Sequence, residues 1–524
     1  MRKIALTIAF FACCLFAAEL TSPGDYTIDL SKYPFVDTTL NKIQFPKGDK
    51  SFETFYKKLD TLVFENRGQV NILHIGGSHI QADIMSGRIR EHFVKEYPGA
   101  SAGRGFVFPF SAAKTNTPSS YGSYYKGIWD MSKNVLNEVR KPLGLLGIAV
   151  STSDPRAEIS IFLDRYNAQP IWGETKFRLF GYSDNGDVIP VLHVDTMEIL
   201  GKLDSATQSY TFTSPTPIDS VVISFRWLDS LQQAEIAAFI TDSLRQDSIA
   251  KAAALADSLR RDSLAKVYAA KKGPVEIPDN VALPLDSMFQ DSSVIDTVSD
   301  PKAGDIVVHI DSAAMEPKSD RPRFTLTGIL TENNNPGIIY NTVGINGAKV
   351  PSYFESICPL FERELSFTKP DLVIFAVGIN DANVDNFNEK LFRANYDTLL
   401  ARIQNVNPNV AVIFETNNDS FRKNKKNRYI QHPNGELARK AFYKLAEKHK
   451  AGLWDKFSIM GGLGSMAKWE KADLAKKDKV HFKIAGYHLL GDLFYKAFIH
   501  AYQDHIAELP AMEPDPAKKA ASKK

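Results

Sequence analysis

The sequence predicts an α/β fold with a parallel sheet, interrupted by an inserted all-β module. Helix and strand patterns alternate after residue 332, and strands such as Leu372–Val377 are continuously apolar, which is typical of a parallel sheet covered on both faces. Between 127 and 240 the chain instead shows short β-type runs separated by turn residues, a pattern typical of a β-sandwich. We therefore expect an α/β domain over 51–126 that resumes over 332–508.

The elements within these regions follow from hydrophobic periodicity. Phe52, Phe55 and Leu59 recur at helical spacing, which predicts a helix over 51–64. The same reasoning predicts helices at 82–97, 353–365, 389–406, 436–450 and 484–502, and buried strands at 70–75, 337–343, 371–377 and 410–415. The inserted module is predicted to contain strands at 157–163, 176–182, 209–213 and 221–227, with 323–331 returning as its last strand.

The N-terminus has the pattern of a secretory signal. A basic start is followed by apolar residues up to Ala18, so residues 1–18 are predicted to be a signal peptide that is too short to span a bilayer. Residues 19–50 are predicted to be an extended lead-in. Lipid attachment at Cys13 is a less favoured alternative, because phenylalanines precede it. We expect an exported protein, periplasmic or associated with the cell envelope, with no integral membrane segment after signal removal.

Residues 241–322 are a second insertion of low complexity. The stretches that begin at Asp242 and Asp257 are near-duplicates, DSLRQDSIAK and DSLRRDSLAK, and their composition favours a helix. The remainder is rich in Asp, Ser and Pro without periodicity, so we expect disorder there and in the tail at 509–524. A tolerated insertion is the favoured interpretation, and an arm that binds an envelope protein partner is the alternative.

Composition and residue spacing argue against a nucleic-acid partner, a metal site and an intrachain disulfide. The 524 residues contain 63 Lys and Arg against 61 Asp and Glu, a net charge of +2. A nucleic-acid-binding protein would show a strong basic excess, so no nucleic-acid partner is expected. No His, Cys and Asp cluster has the spacing of metal ligands, so neither a metal nor a cofactor is predicted. Only Cys358 would remain after signal removal, which excludes an intrachain disulfide.

Four polar motifs are predicted at the carboxyl ends of the parallel strands, where open α/β sheets place their sites. They are NILHIGGS, TVGINGA, VGIND and DKVH, which contain Ser78, Gly347, Asn380, and Asp478 with His481. A nucleophilic serine requires a base, the base requires an orienting acid, and the tetrahedral intermediate requires oxyanion donors. These residues meet all three requirements, with the Ser78 N–H as a further oxyanion donor. A serine that only caps a helix is the alternative for Ser78.

Taken together, the four motifs resemble the signature of the SGNH (GDSL-type) hydrolase family over about 51–125 and 332–505. The segments beginning at His74, Gly103 and Gly337 are similar to peptidoglycan O-acetylesterases. The resemblance implies a three-layer, flavodoxin-like hydrolase domain with an inserted carbohydrate-binding-like β-sandwich. One position departs from the family, because its Gly-Asp-Ser is Gly76-Gly77-Ser78 here. The missing aspartate is not a triad member, so only the turn geometry is in question.

This resemblance implies an exported serine esterase that removes O-acetyl groups from a polysaccharide, in the first place peptidoglycan. Ser78, His481 and Asp478 would form the triad, with Ser78, Gly347 and Asn380 as the oxyanion hole. The alternatives are an acetylxylan-type esterase, an O-acetyltransferase that uses the same site, and a non-catalytic glycan-binding envelope protein.

Other residues near these motifs have two interpretations each. His79 and Asp83 are candidate substrate-binding residues, but packing or helix capping is the favoured interpretation of both. His74 is expected to be packed, and Asp381 to brace its turn. Aromatic residues of the β module would belong to its core or stack on sugars; they are Trp172, Trp227 and the tyrosines of 120–125. The basic stretch 422–428 would be a solvated loop or a contact for anionic wall polymers.

Overall fold

The computed structural model describes residues 28–96, 103–136, 141–163, 174–184, 188–228, 322–424, 426 and 428–509. The chain divides into two compact units, Met1–Trp227 with Pro317–Lys524, and Leu228–Glu316. All described residues other than Leu228 belong to the first unit. The predictions for the signal peptide, for the insertion up to residue 321 and for the tail from 510 concern residues outside the described ranges.

The described strands are β1 (Ile43–Gln44), β2 (Gln69–Gly76), β3 (Gly105–Val107), β4 (Gly122–Lys126), β5 (Asp130–Lys133), β6 (Ile148–Thr152), β7 (Glu158–Phe162), β8 (Glu174–Ser183), β9 (Val188–Val194), β10 (Met197–Leu200), β11 (Lys202–Asp204), β12 (Ser209–Ile218), β13 (Ser220–Trp227), β14 (Phe324–Glu332), β15 (Gly337–Gly344), β16 (Leu372–Ala376), β17 (Ala411–Glu415), β18 (Phe421–Lys423), β19 (Tyr429–Gln431) and β20 (Gly452–Trp454).

The described α-helices are α1 (Glu53–Glu65), α2 (Ser78–Gln81), α3 (Met85–Glu96), α4 (Phe361–Leu365), α5 (Ile379–Ala382), α6 (Glu389–Val406), α7 (Asn434–His449), α8 (Lys456–Ile459), α9 (Ser465–Lys471) and α10 (Ile484–Glu508). Short 3-10 helices cover Thr38–Leu40, Lys50–Phe52 and Val350–Tyr353. No helix in these ranges is both long and apolar enough to cross a membrane.

A six-stranded sheet forms the centre of the α/β domain, in the order β1-β20-β17-β16-β2-β15. All neighbours pair in parallel except β1, which runs antiparallel to β20 at the edge. The five parallel strands are therefore ordered 2-1-3-4-5 in chain sequence, which is the flavodoxin-like order. The predicted α/β class with a parallel sheet is confirmed.

Successive side chains of each strand point to opposite faces of this sheet, and both faces are covered by helices. In β16, Leu372 and Ile374 lie in one apolar cluster with residues of α1, α3 and α10. Val373 and Phe375 lie in another cluster with residues of α6 and α7. Burial on both faces explains why these strands read as continuous apolar runs. The result is a helix–sheet–helix arrangement of three layers.

Two antiparallel sheets hold the strands of the inserted region. One has the order β10-β9-β13-β7-β4, and the other β11-β12-β8-β14-β6-β5 with β3 on β14. They meet where the rings of Phe225 and Phe324 approach to 4.9 Å between centroids. The predicted strands, including the returning strand of 323–331, are present. In these two sheets, however, the first paired residue is Gly105, ahead of the change to β-type structure that was predicted at 127.

Two predicted helices differ from the structure. The helix predicted over 82–97 begins at Met85, because Asp83 has a left-handed backbone (φ 50°) that separates it from the short α2. The helix predicted over 353–365 is replaced by a 3-10 turn and the single-turn α4. Pro359 lies inside that segment, where it would clash with the preceding turn and lacks an N–H donor.

Candidate functional site

The predicted site residues lie at the topological switch point of the parallel sheet. Ser78 follows β2, the first parallel strand, and Asn380 follows β16, the third. The second parallel strand, β15, lies on the other side of β2. The order in which strands are added to the sheet therefore reverses between β2 and β16. Ligands of open α/β sheets bind at such a point, outside the carboxyl ends of the strands.

The turn before Ser78 depends on two glycines with different requirements. A Cβ on Gly76 would overlap the side chain of Ile80, whereas a Cβ on Gly77 would make ordinary contacts at 3.5 Å or more. The N–H groups of Ile80 and Gln81 donate to the Gly77 carbonyl at 3.1 and 2.9 Å. These bonds hold the turn without the aspartate that the family has at residue 77.

The structure brings Ser78, His481 and Asp478 together in one hydrogen-bonded series. Ser78 Oγ lies 2.9 Å from His481 Nε2, and His481 Nδ1 lies 2.9 Å from Asp478 Oδ2. The other carboxylate oxygen accepts the N–H groups of Val480 and His481 at 2.9 and 3.0 Å. A hydroxyl, an imidazole and a carboxylate in this order are the groups that a serine nucleophile requires.

The acid of this series stays ionised in its environment. Partial burial opposes the charge of Asp478, but the hydrogen bonds from the backbone and ring of His481 outweigh it and lower the pKa of Asp478. The side chains of His481 and Asp478 are 36% and 39% exposed. The series is therefore held by hydrogen bonds, and both its imidazole and its carboxylate are partly open to solvent.

Asn380 and the 345–348 loop, which contains Gly347, lie against the turn that carries Ser78. The Asn380 amide nitrogen is 3.5 Å from the position that a Cβ on Gly77 would take, and it donates to the Ala348 carbonyl at 3.0 Å. Gly347 has a left-handed backbone (φ 86°), a conformation that glycine adopts without strain. An amide has two N–H groups, so Asn380 can bind the 345–348 loop and still donate to a ligand.

Asp381 braces this arrangement, as predicted. Both of its carboxylate oxygens lie 3.2 Å from the Val350 nitrogen, which ties the loop after β15 to the turn after β16. Burial raises the pKa of Asp381 to about 6.

Gln81 is a positioning residue that the sequence analysis missed. It is buried, and its side-chain oxygen accepts the Asn346 N–H at 2.7 Å. Its amide nitrogen donates to the Asn116 carbonyl at 2.9 Å. Gln81 therefore links the Ser78 helix to the loop that holds Gly347. Its position three residues after the serine was the available sequence signal.

Asp83 does not face a substrate, contrary to one of its two predicted interpretations. It is 1% exposed, and it pairs with Arg90 at 3.2 Å and Arg104 at 3.1 Å. Ser86 and Ser120 donate to the same carboxylate. Burial raises the pKa of Asp83, but the two arginines outweigh this effect and the net shift is downward. Asp83 therefore has a structural role.

His79 is likewise a buried neighbour of the site and not an exposed binding residue. Its Nδ1 lies 2.8 Å from the Tyr487 hydroxyl, and its ring centroid lies 5.3 Å from that of His481. Burial holds the pKa of His79 well below its ordinary value, and the nearby Lys456 and His481 act in the same direction. His79 is therefore expected to stay neutral beside His481.

His74 is fully buried, as expected, and it lies beside an acidic residue. Its Nδ1 lies 2.9 Å from the Tyr340 hydroxyl, and its Nε2 lies 3.6 Å from Glu415. Glu415 in turn pairs with the buried Lys456. These partners come from distant strands and helices, so no sequence offset could reveal them.

Of the two tryptophan candidates, one is described and is held by the backbone. Trp227 donates its ring N–H to the Pro322 carbonyl at 3.1 Å, and Trp172 lies outside the described residues. Within the described ranges, no group of three His, Cys, Asp or Glu residues is placed to hold a metal ion.

Comparisons with known proteins agree with the fold and the motifs. Residues 313–489 match the GDSL-like Lipase/Acylhydrolase family, which confirms the predicted resemblance. No curated protein matches the chain.

Solved structures add a likeness over most of the chain. A peptidoglycan O-acetylesterase structure is 15% identical, covers 87% of this chain and 98% of its own, and has a TM-score of 0.57. At this identity, the likeness shows the fold. An acetyl xylan esterase (19% identity, 31% of this chain, 81% of its own, TM-score 0.25) and a GDSL-like lipase from Bacteroides thetaiotaomicron (16%, 32%, 76%, 0.23) align only in part.

Proposed function

We propose that this protein is a serine esterase with Ser78, His481 and Asp478 as its catalytic triad. The observation that carries the proposal is the continuous series of 2.9 Å contacts from Ser78 to His481 and from His481 to Asp478. A serine that only capped a helix would need neither an imidazole at its hydroxyl nor a carboxylate behind that imidazole.

The proposed reaction proceeds in two halves. His481 Nε2 takes the Ser78 proton while Ser78 Oγ attacks the ester carbonyl carbon, and the imidazolium then protonates the departing sugar oxygen. In the second half, His481 deprotonates a water molecule that attacks the acyl-serine carbonyl, and acetate leaves as Ser78 recovers its proton. Asp478 holds the tautomer with the proton on Nδ1 and stabilises the imidazolium. The negative oxygen formed in each half would receive hydrogen bonds from the N–H groups of Ser78 and Gly347 and from the Asn380 amide.

We further propose that the substrate is an O-acetylated polysaccharide, in the first place peptidoglycan, and that residues 1–18 direct export to the periplasm or cell envelope. The fold likeness to a peptidoglycan O-acetylesterase supports the substrate class. The two antiparallel sheets are proposed to form an inserted carbohydrate-binding β-sandwich. Transfer of acetyl to a sugar hydroxyl and hydrolysis of acetylated xylan use the same chemistry and are outcomes of the test.

The test is covalent trapping of the proposed nucleophile. A serine-directed phosphonate should label wild-type protein on Ser78, as located by mass spectrometry. Ser78→Ala should take up no label and lose about 10⁶-fold in kcat for acetate release. Ser366→Ala is the matched control, because this exposed serine lies before the amino end of β16 and its removal should leave labelling intact.

Three results would count against parts of the proposal. A folded wild-type sample that takes up no phosphonate and releases no acetate would remove the esterase and favour a non-catalytic glycan-binding protein. Faster acetate release from xylan than from O-acetylated peptidoglycan would replace the substrate. Appearance of an acetylated sugar acceptor in place of acetate would make the protein an acetyltransferase.

A further inference from the structure

A two-stranded hairpin lies directly against the loop that carries His481. It consists of β18, β19 and the turn between them. The Phe421 N–H donates to the Lys479 carbonyl at 3.1 Å, and the Lys479 ammonium lies 5.2 Å from the Phe421 ring centroid. Just before the hairpin, the Asn418 amide donates to the Val480 carbonyl at 3.0 Å. The hairpin is therefore fixed to the segment between Asp478 and His481.

The same hairpin is also tied to the loop that follows Asn380. Arg422 forms an ion pair with Asp385, which lies four residues beyond Asp381. Two loops that contribute to the proposed active site, one with His481 and one with Asn380, thus both contact this hairpin. Such a position places the exposed side chains of the hairpin at the border of the site.

The charged residues of the hairpin and of the His481 loop are predominantly basic. Residues 421–431 contain five Lys and Arg residues and no acid, and residues 476–483 contain four lysines and one acid. That acid is Asp478, which is bound to His481. A chain with a net charge of only +2 therefore concentrates positive charge in two short segments that touch each other. We refer to the exposed members, other than Lys483, which pairs with Asp473, as the basic surface: Lys423, Lys426, Arg428, Lys476 and Lys477.

Few acids neutralise this surface. Within the described residues, the ion pairs near it use Arg422 with Asp385 and Lys483 with Asp473, and none involves a member of the basic surface. The turn of the hairpin is ordered by Asn424, whose side-chain oxygen accepts the N–H groups of Lys426 and Arg428 at 3.0 Å each. These two bonds hold the backbone at Lys426 and Arg428, and both residues are exposed.

We propose that the basic surface binds carboxylates of an acidic polysaccharide, so that the esterase selects acetyl esters on anionic glycans over those on neutral ones. This inference rests on the proposed esterase function of Ser78. Like charges gathered at the border of a site raise the local concentration and the association rate of an oppositely charged polymer. Side chains within about 10 Å of the bound chain act with little screening at 0.1 M salt. The carboxylates can belong to the peptide stems of peptidoglycan or to uronic acids.

The experiment compares two triple variants with the same change of charge. The first is Lys423→Gln with Lys426→Gln and Arg428→Gln. The control is Lys47→Gln with Lys50→Gln and Lys369→Gln, which are all exposed. These three lie at the amino-terminal edge of the sheet: Ser51 donates to the Lys450 carbonyl just before β20, and Lys369 precedes β16. Thermal melting confirms that both variants are folded.

The readout is kcat/KM for acetate release from O-acetylated peptidoglycan, acetylated polygalacturonan and neutral acetylated xylan. The wild type and the control should prefer at least one anionic polymer, and raising the salt to about 0.5 M should weaken that preference. In the hairpin variant, the ratio of kcat/KM on anionic polymers to kcat/KM on the neutral polymer should fall about tenfold. A preference for peptidoglycan alone would identify its peptide stems as the source of the carboxylates. A preference for both anionic polymers would show that uronic acids bind as well. An unchanged ratio in a folded hairpin variant overturns the inference.

A binding measurement separates this inference from the esterase proposal. In the Ser78→Ala background, affinity electrophoresis in polygalacturonan should retard the protein, and the three hairpin substitutions should abolish that retardation. Equal retardation with and without the substitutions overturns the basic surface as a binding site, whatever the catalytic result. Absence of phosphonate labelling at Ser78 would instead overturn the esterase and leave the binding result standing.

Discussion

Ser78 and Asp83 are close together in the chain, but they belong to two polar regions that differ in their exposure to solvent. Ser78, His481 and Asp478 form a hydrogen-bonded series whose imidazole and carboxylate are both partly open to solvent. Asp83 and its arginine partners form an equally well-bonded cluster that is closed on all sides. Hydrogen bonding alone therefore does not mark a reactive group. A polar group can react only where it can also meet a substrate.

Asp478 and Asp83 both have a lowered pKa, whereas Glu364, which lies outside both regions, shows the opposite shift. Hydrogen bonds from His481 lower the pKa of Asp478, so it is charged at neutral pH and can stabilise an imidazolium. Glu364, fully buried between α4 and the seven-stranded sheet, has its pKa raised by burial to about 7. The surroundings of Asp478 therefore stabilise its charged form, and those of Glu364 stabilise its neutral form. Substitutions in the two regions should accordingly affect activity in one case and stability in the other.

The largest expected effect is on activity in the open region. Asp478→Asn keeps the size of the side chain but reverses the tautomer preference of His481, so kcat should fall by about 10⁴-fold. The melting temperature should change little, because the side chain is partly exposed. Steady-state acetate release and calorimetry on the same samples measure both effects.

Asp473→Asn is the matched control for Asp478→Asn. Asp473 is exposed and pairs with Lys483 in the same loop, so its loss should leave kcat within about twofold. If both substitutions reduced kcat equally, Asp478 would be a loop brace and not a member of a triad.

The second effect is on stability in the closed region. Asp83→Ala leaves Arg90 and Arg104 buried without their shared partner, which should lower the free energy of unfolding by about 3–5 kcal/mol. Urea denaturation followed by fluorescence measures this loss. Glu53→Ala removes an exposed carboxylate that pairs with Lys57 and should leave the midpoint nearly unchanged. Equal midpoints for the two variants would show that the buried cluster adds no stability.

A third substitution tests the oxyanion donors. Asn380→Ala removes an amide that lies beside the Ser78 turn, and kcat should fall by about 10²–10³-fold if it stabilises the transition state. Asn383→Ala is the control, because this exposed residue ends the same short helix α5. A fall in kcat that is matched by a fall in melting temperature would indicate that the Asn380 bond to Ala348 is only structural.

The triad was more predictable from the sequence than the contacts of the buried histidines His79 and His74. Asp478 and His481 are three residues apart, so their contact is local, and motif order after each strand brought in Ser78, Gly347 and Asn380. The partners of His79 and His74 are Tyr487 and Glu415, which are hundreds of residues away. Such contacts follow from how the layers pack, and no spacing within one segment encodes them.

The fold shows the same division between local and distant information. Continuous apolar strands revealed the parallel sheet because burial on both faces leaves a direct mark on the sequence. Helical periodicity failed over 353–365, where Pro359 prevents a continuous helix. It also failed at Asp83, whose left-handed backbone directs its carboxylate to Arg90 and Arg104.

The smallest expected effect concerns pH and the buried Glu364. Its carboxyl group accepts hydrogen bonds from Thr327 and the Leu145 N–H, and burial raises its pKa from 4.5 to about 7. Between these two values the folded protein binds more protons at this site than the unfolded chain does. Stability from this group is therefore present below pH 4.5 and is lost as the pH rises toward 7.

Glu364→Gln should remove that pH dependence. The amide is always neutral, so the variant should gain melting temperature relative to the wild type as the pH rises from 5 to 8, and at pH 5 it should have no advantage. The difference between variant and wild type isolates Glu364 from Glu174, whose pKa burial also raises to about 7. A constant difference across this pH range would mean that Glu364 is already ionised at pH 5. The contrast with Asp478 would then lie in accessibility to substrate, because both carboxylates would carry charge.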